Sequence, residues 1–174
     1  MNSQIDDLFA QLEAAEQHRK LPPVSQWHPE REGQIDIVIE ADGTWKHEGG
    51  RFERQALVRL FSTVLRREGE RYFLVTPGEK LEIRVEDAPL LALDFEVRGV
   101  GDAQELLFTT NGGDHVVASA EHRIWLSEDR PYLHVRDGLN ALIARGAYYR
   151  MIDLAETDAE GVWLTSRGAR FQLA

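Results

Sequence analysis

The chain has 174 residues and no cysteine. That excludes disulfides, thiolate metal sites and a cysteine nucleophile. Positive charge is also scarce: 20 Lys and Arg stand against 30 Asp and Glu, for a formal net charge of −10. Proteins that bind nucleic acid generally do so by neutralising phosphates with Lys and Arg, so general nucleic-acid binding is not expected. No apolar run approaches the roughly 20 residues of a membrane-spanning helix. The N-terminal stretch MNSQIDDLFAQLEAAEQ is acidic and amphipathic, unlike the basic-then-apolar pattern of a signal peptide. A cytoplasmic protein without a membrane partner is the expectation. HEXXH, the EF-hand loop, the P-loop and the G-x-S-x-G elbow are all missing. Gly99-Val100-Gly101 joins two strands and opens no helix, so it reads as a turn rather than as a dinucleotide fingerprint. No metal and no cofactor are expected.

The rest of the composition is that of a folded globular chain, 43% hydrophobic and 29% charged. Its organising feature is a degenerate repeat. DGTWKH at 42–47 returns as DRPYLH at 129–134, a helical stretch follows each copy, and YFLVTPGEKLEI at 72–83 returns loosely as GVWLTSRGARFQL at 161–173. Trp45 pairs with Tyr132 and Thr76 with Thr165, and the two offsets differ by two residues, the size of a loop insertion. Two like halves leave a groove where they meet, and small ligands often bind at domain interfaces.

In chain order, a first helix is expected over 1–21, with Ser3 as cap, Ile5, Leu8, Phe9 and Leu12 on one face, and Arg19 and Lys20 at its end. Pro22-Pro23 forces an extended arm, and Trp27 reads as its anchor. Ile35–Glu40 is β-branched and reads as a strand, Asp42-Gly43 as a turn. Phe52, Ala56, Leu57, Leu60, Phe61, Val64 and Leu65 recur at helical spacing, which predicts a helix over Arg51–Arg67. Hairpin strands follow around Thr76-Pro77-Gly78. From Leu91 to Val135 short alternating segments separated by turns predict an antiparallel meander. A second helix is expected from Gly138 to Ala155, then a closing hairpin. The fold class is therefore α+β, with an N-terminal arm at 1–21, one subdomain at 22–88 and a second at 89–174, each built from a small antiparallel sheet and one helix.

Candidate chemistry is sparse. The segment Arg51–Arg84 carries eight basic and five acidic residues inside an acidic chain, and a local positive surface can select a small anion. Exposed charges are the norm, however, and most of these arginines read first as a solvated face. Lys80, after the Thr76-Pro77-Gly78 turn and beside Glu79, stands out, as does Thr76. His47 and His134 fall at equivalent repeat positions without a second ligand at metal spacing. Glu86-Asp87 reads as a loop leaving a strand. Tyr148-Tyr149 and Trp163 could face a ring but more often such residues are core. If the halves face each other, Arg54, Thr76, Glu79, Lys80, His134, Arg136 and Tyr148 would line one groove for an anionic, nucleotide-like small molecule. The bland alternative is that Lys80 and Arg136 pair with neighbouring carboxylates such as Glu79 and Asp137 and never meet a ligand. An enzyme on a phosphorylated substrate, with His134 or Glu79 as acid or base, is the second functional reading. A protein-interaction adaptor is the third.

The segments IDIVIEADGTWKHEG, LVRLFSTVLRRE and YFLVTPGEKLEIRVEDAPLLA, with PYLHVRDGLNALIARGAYY more weakly, resemble a bacterial family called domain of unknown function 1285. The resemblance runs from Trp27 onward, and Leu74–Lys80 followed by Val85–Pro89 is its most specific part. It implies a duplicated α+β core whose second half is similar to pleckstrin-homology folds, and a ligand at the domain interface in signal transduction. It implies no established activity. Glu32 stands where the family pattern usually has cysteine, and Gly50-Arg51-Phe52 where it often has Ser-Pro-Ile, so contacts made by those residues do not carry over.

Overall fold

The computed structural model describes residues 4, 5, 7, 8 and 21–174. Of the expected first helix, Gln4, Ile5, Asp7 and Leu8 are helical, with Ile5 and Leu8 buried; Ser3, Asp6, Phe9, Leu12, Arg19 and Lys20 lie outside the described residues. The chain divides into two compact units, Met1–Asp87 and Ala88–Ala174. Each is α+β, and strands dominate both.

In the first unit β1 (Arg31–Ile39) alternates, with Ile35, Ile37 and Ile39 buried. It pairs antiparallel with β2 (Trp45–His47), which pairs with β3 (Gly50–Arg51). Helix α1 (Gln55–Ser62) follows, then β4 (Leu65–Glu68), β5 (Arg71–Val75) and β6 (Glu79–Val85), successive antiparallel neighbours. Strand β6 then lies parallel to β1, giving one six-stranded sheet in the order β3-β2-β1-β6-β5-β4. The expected stripe is buried: Leu57, Leu60, Phe61 and Val64. Phe61 closes an aromatic cluster, its ring centroid 5.8 Å from Phe52 and 6.5 Å from Trp45.

The helix is shorter than expected at both ends. Arg51 belongs to an edge strand, and Leu65–Glu68 is β4. The spacing of Phe61, Val64 and Leu65 mimics another helical turn. The chain instead leaves the helix at Thr63, and the Val64 carbonyl accepts from the Val75 amide. The backbone pairing β5 offers overrides the helical propensity of Arg66, Arg67 and Glu68, as tertiary context routinely does. The arm at Pro22-Pro23 forms one 3-10 turn, Val24–Gln26, and the Arg66 guanidinium donates to the carbonyls of Val24 and Trp27.

The second unit begins with β7 (Leu90–Arg98), β8 (Glu105–Thr110) and β9 (His115–Val117), an antiparallel meander. A second meander follows: β10 (Ile124–Ser127), β11 (Arg130–Arg136) and β12 (Leu139–Ile143). Strand β12 lies parallel to β7, so the sheet order is β10-β11-β12-β7-β8-β9. Then come α2 (Arg145–Leu154) and a separate three-stranded sheet, β13 (Glu156–Asp158), β14 (Gly161–Ser166) and β15 (Ala169–Gln172). The expected helix from Gly138 thus begins only at Arg145, because alternating Leu139, Ala141 and Ile143 form a buried strand face. Both large sheets contain one parallel pair, so neither is the purely antiparallel sheet expected.

The order of elements repeats. Strands β1-β2-β3, a helix and β4-β5-β6 recur as β10-β11-β12, a helix and β13-β14-β15. The residue register of the repeat is one off at each end. Glu48 donates to Asp36, which makes Ile39 and Trp45 a pair without mutual backbone bonds. His134 donates to Arg123, which makes Trp125 and Tyr132 a hydrogen-bonded pair. Leu133, not Tyr132, shares the pairing and full burial of Trp45. At the other end Thr76 closes its turn against Glu79, and Ser166, not Thr165, closes the turn against Ala169.

The β14–β15 turn is bolted to β8. The buried Ser166 hydroxyl accepts from the Leu106 amide at 2.9 Å and donates to the Ala118 carbonyl at 2.7 Å. The Arg167 amide donates to Gln104, and the Gln104 side chain donates to Thr165.

Candidate functional site

The predicted site residues divide between the units, and most have structural tasks within them. Lys80 on β6 sits in a cross-strand charge network. Its Nζ is 2.8 Å from Glu68 and 3.6 Å from Glu32, and lies 4.5 Å from the centroid of the Phe73 ring. Arg71 bridges Glu82 and Glu32 in the same network, and its guanidinium holds the Glu82 carboxyl below the usual range. Two cations here meet three carboxylates, so the patch is not positive. Glu32, where the family pattern usually has cysteine, supplies one of those carboxylates.

Thr76 is buried, and its hydroxyl accepts from the amides of Gly78 and Glu79. It folds the turn before Lys80 and does not face solvent. Glu79 gives its backbone to the same turn and is half-buried. Arg54 occupies the position before α1, and its carbonyl accepts from the Leu57 amide.

In the second unit Arg136 donates to Asp114 at 2.9 Å, and both side chains are largely buried. His134 faces the Glu121 carbonyl through Nδ1 at 3.1 Å, and its ring stacks on His122 with centroids 5.9 Å apart. A carbonyl can only accept, so Nδ1 carries the proton there. The Tyr148 hydroxyl donates to the Leu173 carbonyl, and burial raises its pKa. Arg136 and Lys80 each pair with a carboxylate of their own unit. Among the described residues no group of three His, Asp or Glu could hold a metal ion.

The arrangement the sequence did not indicate lies inside the second unit. An open groove of about 620 Å³ runs between β10 and β15, walled by Ile124, Trp125, Leu126 and Phe171 with Arg123 and Arg170 beside them. Its size falls within the range of small-ligand sites, and mostly apolar walls with a few polar groups are their usual lining. Arg170 stacks over Trp163 at 4.1 Å and pairs with Asp158, whose carboxyl it holds below the usual range. Arg123 is exposed and pairs with no carboxylate among the described residues. Neither Arg123 nor Trp125 lies in a recognisable motif. The signal in the sequence is only that DRPYLH is preceded by an apolar strand ending in a turn.

Two units of repeated element order, one closed into a single sheet and one split into two with a groove at the split, define a duplicated α+β protein. The chain belongs to the family DUF1285. Its N-terminal domain of unknown function matches residues 22–88, and its C-terminal domain, also of unknown function, matches residues 89–173. The chain is similar to the crystal structure of a DUF1285 family protein from Silicibacter pomeroyi DSS-3, with 45% identity and a TM-score of 0.86 over 95% of this chain and 93% of that one. It is also similar to a DUF1285 family protein from Shewanella baltica OS155, with 32% identity and a TM-score of 0.56 over 67% of this chain and 90% of that one. No curated protein matches the chain. Among the described residues no helix is long and apolar enough to cross a membrane.

Proposed function

We propose that the chain is a binding module for an anionic ligand, without chemistry of its own, and that the ligand enters the groove between β10 and β15. The observation that carries this is Arg123, a guanidinium with no partner among the described residues, at a mostly apolar groove in a chain of net charge −10. A flat two-pronged donor beside apolar walls suits a carboxylate or phosphate attached to an apolar body. Lys80 pairs with Glu68 and Glu32 and is not part of this proposal. A role in signal transduction and a pleckstrin-homology-like outline for the second unit, both implied by the family resemblance, form part of the same proposal.

The test is a thermal-shift panel of nucleotides, with and without magnesium, and of short dicarboxylates, on the parent chain and on Arg123→Glu. A ligand of the native state at a hundred times its Kd stabilises by about 2.7 kcal/mol. At least one anion should raise the Tm of the parent and not that of Arg123→Glu. If no anion does so, or if the variant responds equally, the anionic-ligand reading fails.

A further inference from the structure

Strands β10 and β15 are both last in their sheets. Their counterparts in the first unit, β1 and β6, are paired in parallel, with Ile39 opposite Val85 and the Glu86 amide donating 2.9 Å to the Ile39 carbonyl. In the second unit that ladder is missing. Because the Arg123 carbonyl and the Trp125 backbone face β11, the N–H and C=O groups of Ile124 and Leu126 point the other way, along the edge that Ile39 offers to β6. They have no partner among the described residues. An open edge is a template for an added strand, and unpaired backbone groups beside an apolar groove favour an occupant that brings its own amides and carbonyls. A nucleotide or a dicarboxylate has no such regular ladder.

Resting on the anionic-ligand reading, we infer that the occupant is an extended acidic peptide segment of a partner protein, added as a strand to the β10 edge, as β6 is added to β1. Strand β10 has four residues, so the paired segment is roughly four residues long, about 13 Å at ~3.3 Å per residue. Some Cα atoms of β10 and β15 come within 8 Å. A strand interposed with full ladders on both flanks needs about 9.5 Å, twice the usual strand spacing. The peptide therefore takes its ladder from β10, while β15 contributes the Phe171 side chain. Alternate peptide residues are apolar, to meet Ile124 and Phe171. At least one flanking residue is a carboxylate, to meet Arg123. Main-chain pairing then supplies affinity, and alternate side chains supply selectivity.

The probe is an acetyl-capped peptide of roughly six residues that alternates valine and glutamate, long enough to span β10. It is compared with the same sequence N-methylated at alternate positions, on the full chain, by Trp fluorescence and by amide exchange. Binding should slow exchange at Ile124 and Leu126 by about tenfold or more. N-methylation should abolish binding, and Arg123→Glu should weaken it by about tenfold. Equal binding of the N-methylated peptide would overturn the strand-addition inference and leave the anionic-ligand reading standing. So would an Arg123-dependent response to small anions without any to peptide. Protection of the β10 edge that rises with protein concentration and needs no peptide would assign the edge to a second copy of this chain and overturn the inference. Silence toward peptide and anions alike would remove both.

Discussion

Replacing Phe61 with alanine should lower the stability of the first unit by about 3–5 kcal/mol, the range for truncating a buried aromatic residue. The ring has no solvent exposure. It meets the edge of Phe52 at 5.8 Å and an interplanar angle of 75°, and lies 6.5 Å from Trp45. The cavity left behind would be bordered by β2 and by the helix itself, and neither can move inward without breaking backbone bonds. Denaturant unfolding followed by tryptophan emission reads the effect, since Trp45 sits in the cluster. A two-unit chain need not unfold in one step, so the midpoint to follow is that of the transition which Phe61→Ala moves. A loss below roughly 0.5 kcal/mol, the range of ordinary surface substitutions, would show that the helix face does not pack as described.

Ser166→Ala should be nearly as costly, for a different reason. The change removes one oxygen and almost no volume. It leaves the Leu106 amide and the Ala118 carbonyl buried without a partner. Each such group costs about 1–3 kcal/mol, so roughly 2–6 kcal/mol is expected. The hydroxyl also fixes the β14–β15 turn against β8, so amides of that turn should lose exchange protection first. Thr165→Ala is the control: its carbonyl, which accepts from Gln104, survives the substitution, and a change within about 0.5 kcal/mol is expected. Equal small effects for both variants would mean that the Ser166 hydroxyl does not hold the turn.

How far the sequence announces this structure depends on what each feature requires. Elements whose burial follows a period were legible: the alternation of Ile35, Ile37 and Ile39, and the α1 stripe of Leu57, Leu60, Phe61 and Val64. Helix ends were not, because Val64-Leu65 and Leu139–Ile143 fit a helical face as well as a strand until the partner strand is known. The repeat was visible in the order of elements but not in register. A slip of one residue moves every side chain to the other face, and Trp45 with Tyr132 are alike in bulk without being alike in pairing. Lys80 and Arg136 stand out as charges, but charge alone does not tell a ligand contact from an ion pair, and Glu68, Glu32 and Asp114 reach them from other strands. The open edge of β10 had no sequence signal at all, since it consists of backbone groups left without a partner.

The measurement closest to the central claim is native-state amide exchange on the unliganded full chain, comparing the two equivalent edges. In the first unit the β1–β6 ladder pairs Ile39 with Val85. In the second the edge that carries Ile124 and Leu126 is bare among the described residues. Amides in a ladder exchange only through opening, while unpaired ones exchange from the native state. Ile124 and Leu126 should exchange on the order of a hundredfold faster than Ile39. Equal, strong protection at all three would show that β10 is already paired in solution, and the second unit would then have no open strand edge to offer a ligand.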